Sequence, residues 1–130
     1  MNRLATTCLA FAACTVADAM TGESVAAAYR GEWVTASATC TAPLRLVIDA
    51  NVVTFVNGAE RAPYRKLEQC FSCMGRDVQN VTLLSTDAMG DSPWTITLDG
   101  SKKKAAVSVA LDKKLGARFP FGTAPLKKCS

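Results

Sequence analysis

The sequence predicts an all-β protein, a small antiparallel meander closed into a β-barrel or folded as a sandwich, with two disulfides. Three observations lead there. Apolar and polar residues alternate with a period of two through much of the chain, as in strands that bury one face. Asn57-Gly58 and Asp99-Gly100 follow two of these runs, and such pairs favour tight hairpin turns. No long segment carries the i, i+3, i+4 apolar spacing of an amphipathic helix.

In chain order, Arg3 precedes an apolar run from Leu4 to Ala13, and Ala17-Asp18-Ala19 follows. A basic start, a short apolar stretch and a small-x-small site make a secretory signal over residues 1–19. The run is too short to span a bilayer permanently. Ala26-Ala27-Ala28 offers a later cut, and Phe11-Ala12-Ala13-Cys14 loosely resembles a bacterial lipobox, which would lipidate Cys14 and tether the chain to a membrane surface. Residues 20–28 are expected to be a flexible segment or a short helix. A single β domain then occupies 29–130, with 49% apolar residues in the whole chain supplying its core.

Tyr29 to Thr35 opens the domain. Leu44, Leu46 and Ile48 alternate with polar neighbours, and Val53 and Phe55 do so after Ala50-Asn51. Asn80 to Ser85 reads as another strand. Trp94, Ile96 and Leu98 pair across Asp99-Gly100 with Ala105, Val107, Val109 and Leu111 as a second hairpin. Arg118 to Phe121 is expected to be a short closing strand.

Six cysteines are present, and removing the leader takes Cys8 and Cys14. Cys40, Cys70, Cys73 and Cys129 remain, an even number that implies two disulfides in an exported chain. Three connectivities are open. Long-loop closure favours Cys40 and Cys129 each reaching one member of the Cys70/Cys73 pair. That pair has the C-x-x-C spacing of thiol oxidoreductases, but it lacks the βαβ surroundings in which a helix N-terminus activates the first thiol. A zinc ribbon would need a second closely spaced pair.

Gly31-Glu32-Trp33, in the opening strand of an exported meander with a cysteine near its end, resembles the Gly-x-Trp start of lipocalins and other calycin-like barrels. It is also similar to small bacterial envelope barrels that inhibit proteases or lysozymes. The resemblance implies a barrel plugged at one end by Trp33 and a binding or inhibitory role.

The chain has no histidine, which removes imidazole bases, Ser-His-Asp and Cys-His nucleophile pairs and most catalytic zinc shells. No pair among the carboxylates is singled out for acid–base work, no glycine-rich phosphate loop is present, and no cofactor or metal is called for. Charge is more informative. Residues 20–100 carry six basic and nine acidic residues, whereas 101–130 carry eight basic residues and Asp112 alone as acid. A polarised chain of this kind suits an anionic partner, either an envelope component or an acidic protein, and admits association with a membrane surface. Nucleic acid is disfavoured by export and by the scarcity of interleaved aromatics.

The candidate binding residues are Lys102, Lys103, Lys104, Lys113, Lys114 and Arg118, with Phe119 and Phe121 as an aromatic patch around Pro120 if either ring is exposed; the alternative is that the two rings close the barrel. The lysines also suit turns, where they keep strand edges soluble. The expectation is a periplasmic or secreted protein that binds rather than catalyses, an envelope inhibitor or accessory factor; a structural envelope protein and a thiol oxidoreductase using Cys70 and Cys73 are the alternatives.

Overall fold

The computed structural model describes residues 24–75, 78, 80–86, 91–101 and 103–129. The leader read over 1–19, with Cys8 and Cys14, and the candidate Lys102 lie outside the described residues. A short 3-10 turn at Ala27–Tyr29 leads into β1 (Gly31–Thr35), β2 (Leu44–Ile48), β3 (Val53–Asn57), β4 (Glu60–Tyr64) and β5 (Leu67–Cys70). Then follow β6 (Val81–Thr86), β7 (Trp94–Asp99), β8 (Ala106–Leu111), the helix α1 (Lys113–Arg118) and β9 (Leu126–Lys128).

The strands form two antiparallel sheets, ordered β4-β3-β2-β1-β9 and β5-β6-β7-β8. The period-two pattern is the reason. In β7, Trp94, Ile96 and Leu98 are buried while Thr95, Thr97 and Asp99 are not, because successive side chains point to opposite faces. The registers then stack apolar rows across each sheet. Trp33 lies opposite Leu46 and Leu46 opposite Phe55 in the first; Leu84 lies opposite Ile96 and Ile96 opposite Val109 in the second. These rows belong to one apolar core shared by both sheets.

The sheets do not close into the barrel that the Gly-x-Trp resemblance implied. Only Arg65 and Lys66 separate β4 from β5, so one continuous run changes sheets there, which is how corners are made between packed sheets. Pro63 lies in β4, at the edge of its sheet, and has no N–H to offer another strand. On the other side, β8 and β9 are both edge strands and no ladder joins them.

The Asn57-Gly58 hairpin is present. Asn57 pairs with Glu60, and Gly58 takes a φ of 64°, the left-handed conformation that two-residue hairpin loops need. Within the segment expected to be flexible, Val25 is buried. Its N–H donates to Ala50 O at 2.8 Å, and its carbonyl accepts from Arg30 Nε at 2.7 Å.

The expected strand over 118–121 is a correction. Asp112 caps α1 instead, accepting from Leu115 N–H at 2.8 Å, as an N-cap carboxylate does. Leu115 and Phe119 then enter the core.

Cysteine connectivity also differs from the expected one, since Cys40 joins Cys129 and Cys70 joins Cys73. The reason is strand order. β9 pairs with β1, and Cys129 N–H donates to Glu32 O at 2.7 Å, which brings Cys129 beside the loop that follows β1. Cys70 ends β5 in the other sheet.

A basic cleft between two sheet edges

The gap left by the unclosed sheets is a cleft of about 520 Å³, lined by Trp33, Lys104, Ala105, Ala106, Leu126, Lys127 and Lys128. Its lining comes from the edge strands β8 and β9 and from Trp33 of β1. Lys104 stands exposed just before β8. Lys128 Nζ donates to Ala28 O at 3.1 Å and sits 5.8 Å from the Trp33 ring centroid. Lys127 Nζ donates to Ala38 O at 2.6 Å. Both ammonium groups are therefore held in place by neutral carbonyls. Among the described residues, no carboxylate forms an ion pair with any of the three.

Trp33 is buried, as expected for a core aromatic, and its Nε1 donates to Tyr29 O at 2.9 Å. Its ring beneath an ammonium adds a cation–π attraction. The walls at Ala105, Ala106 and Leu126 are apolar. The result is a mixed site, with positive charge at the rim and a low-polarity floor, that strengthens attraction for an anion relative to open water.

The other expected residues fall elsewhere. Lys103 is exposed beside Lys104. Lys113 and Lys114 are exposed on the first turn of α1, rather than in a turn as the sequence suggested. The two lysine groups thus flank β8 at its two ends.

A second depression of about 410 Å³ is lined by Pro93, Asp112, Lys114, Leu115 and Arg118. The Asp112 carboxylate lies within it, and Arg118 is already bonded through Nε to Glu60. Both features oppose anion binding there.

Phe119 and Phe121 are corrections. Phe119 is 0% exposed and Phe121 5%, and their rings pack against Phe55 with centroids 5.9 and 6.2 Å away. They complete the core and leave no aromatic recognition patch. Arg118 stacks its guanidinium 5.0 Å from the Phe119 ring, on the outer side of that core.

Lys127 and Lys128 were missed as site residues. They enter the charge count of the C-terminal third, yet nothing local places them beside Lys104. That neighbourhood is made by pairing β9 with β1 and by the Cys40–Cys129 disulfide.

Two disulfides suit an oxidising, extracytoplasmic compartment. No helix among the described residues is long and apolar enough to cross a membrane. Comparison with protein-family models, with curated proteins and with solved structures finds no match.

Proposed function

We propose that this chain is a periplasmic or secreted binding protein that engages a compact anionic group in the cleft between β8 and β9. The observation that carries this reading is that Lys104, Lys127 and Lys128 all line one apolar-floored cleft of about 520 Å³, within the size range of small-ligand sites. Three positive charges without carboxylate partners among the described residues give the cleft a strong positive field. A phosphate- or carboxylate-bearing envelope component or an acidic protein supplies the matching charge.

Binding of the purified protein to vesicles of anionic phospholipid, to zwitterionic vesicles and to polyglutamate, each at low and high salt, tests the proposal. Exposed charges are screened over about 8 Å at physiological ionic strength, so association with at least one anionic probe should fall steeply as salt rises. Lys104→Glu with Lys128→Glu should abolish it, whereas Lys113→Glu with Lys114→Glu should retain most of it. Binding that ignores salt, or that survives the first pair of reversals, rejects the cleft as the site.

A further inference from the structure

The Cys70–Cys73 disulfide lies at the end of β5, outside the lining of the lysine cleft, and the loop it closes differs from that of Cys40–Cys129. It closes a sequence separation of only 3. Residues 71–75 are all exposed, Cys73 among them, while Cys70 is half-buried at the strand end. The exposed large apolar side chains of the described residues are Phe71 at 57%, Met74 at 46% and Val78 at 39%. All three lie within five residues of this disulfide in the chain. Surface apolar groups gathered in this way mark contact sites for other chains.

Beside the disulfide runs a groove of about 390 Å³, lined by Tyr29, Phe71, Asn80, Val81, Thr82 and Gly100. The β5–β6 ladder stops at Cys70 opposite Leu83, so no β5 residue pairs with Val81 or Thr82. Extended segments can add to a strand beyond the end of a ladder. A groove, an apolar rim and a disulfide therefore share one end of the second sheet.

We propose that Cys70–Cys73 is a thiol–disulfide exchange site that oxidises a dithiol presented by an extended, apolar polypeptide. A thiolate of the incoming chain attacks the more exposed Cys73 Sγ. The new interchain S–S bond forms as the Cys70–Cys73 bond breaks, and the electron pair leaves on Cys70, which takes a proton from water. The second thiolate of the incoming chain then attacks its own sulfur in the mixed disulfide. Its intrachain disulfide forms, and Cys73 leaves as a thiolate and is protonated. The polypeptide loses two electrons and this chain gains them as two thiols.

No α-helix begins at Cys73, so the thiolate is not stabilised by a helix N-terminus as in thioredoxin-like sites. Accessibility permits the exchange, since exposed disulfides are the labile ones; Cys40 is exposed as Cys73 is, so what sets this bond apart is the short loop it closes and its apolar neighbours. Reduction opens a loop of only a few residues and leaves both sheets anchored by their ladders and by Cys40–Cys129. The bond can open and close without loss of the fold.

The test uses the oxidised full domain with two probes, reduced glutathione and an unstructured apolar peptide carrying two cysteines. Thiols are trapped with N-ethylmaleimide and located by mass spectrometry. Cys70 and Cys73 should be reduced by either probe at least about tenfold more readily than Cys40 and Cys129, because the fold holds the bond that closes the longer loop more firmly. The peptide should become oxidised in a one-to-one ratio. Phe71→Ser with Met74→Ser should slow exchange with the peptide and leave exchange with glutathione unchanged. A single-cysteine version of the peptide, which cannot resolve the intermediate, should be trapped with N-ethylmaleimide as a mixed disulfide on Cys73, with Cys70 alkylated as the leaving thiol. Equal reactivity of the two disulfides overturns the proposal, as does a peptide rate that the apolar substitutions leave unchanged.

Discussion

Removing the two disulfides one at a time should give very unequal results. The perturbations are Cys40→Ser with Cys129→Ser, and separately Cys70→Ser with Cys73→Ser. A crosslink acts largely by restricting the unfolded chain, and its effect grows with the logarithm of the loop it closes. With a separation of 89 residues that relation gives about 4.6 kcal/mol at 25 °C for Cys40–Cys129. With a separation of 3 it gives about 1.6 kcal/mol for Cys70–Cys73. Domains of this length lose about 4–5 °C of Tm per kcal/mol. The first double mutant should therefore melt about 20 °C below the parent and the second about 7 °C below.

Set against a total stability on the order of 5–15 kcal/mol, the first loss threatens folding itself. Thermal and urea melts followed by far-UV circular dichroism measure both. The consequence for the cleft follows from β9. This strand has only three residues, Leu126–Lys128, and Cys40–Cys129 secures its end. Without that bond β9 should fray, and binding through Lys127 and Lys128 should weaken even below the melting transition. The Cys70/Cys73 mutant should bind anions like the parent. Equal losses of stability, or a larger loss from the Cys70/Cys73 mutant, would refute the loop-length reasoning.

Three further outcomes are expected. Phe119→Ala removes a ring that is 0% exposed and packed on Phe55, and should cost about 3–5 kcal/mol in a urea melt. Gly100→Ala would place a Cβ 2.7 Å from Tyr29 Oη and 3.2 Å from Asn80 O; overpacking against backbone should cost about 1–3 kcal/mol and deform the groove beside Cys70–Cys73. Burial raises the Tyr29 phenol pKa above its ordinary value, with the Asp99 carboxylate adding to the shift. The folded state then holds this proton more tightly than the unfolded state. That contribution is intact below about pH 10, the ordinary phenol value, and is lost as pH rises through the folded-state pKa. A Tyr29→Phe variant should accordingly show a shallower alkaline loss of stability than the parent, measured by Tm across that range.

The alternating runs determined most of the strands, because period-two patterning is a local property that survives in any arrangement of the sheets. Trp94 to Leu98 and Val107 to Leu111 needed nothing beyond their own spacing to be read as a hairpin. Even cysteine number and the absence of histidine likewise bound the chemistry without any fold.

The residues that failed to announce themselves are those whose role depends on a distant partner. β4 has the sequence Glu60-Arg61-Ala62-Pro63-Tyr64, with charges and a proline at an edge, and it is a strand only because β3 offers a ladder. Lys113 and Lys114 read as turn residues and Arg118 as the start of a strand, until Asp112 caps a helix over them and Leu115 docks in the core. Phe119 and Phe121 look like a surface patch when flanked by Arg118, Pro120 and Gly122. Phe55, more than sixty residues earlier in the chain, draws both rings inside.

Sequence by itself determined which residues face inward along the alternating strands β2, β7 and β8, since that follows from backbone geometry over a few residues. Tertiary structure alone decided the sheet order, the pairing of Cys40 with Cys129 and the meeting of Lys104 with Lys127 and Lys128. Each of those depends on β9 returning to β1 across some ninety residues, and loop closure over that distance is set by the whole core rather than by local sequence.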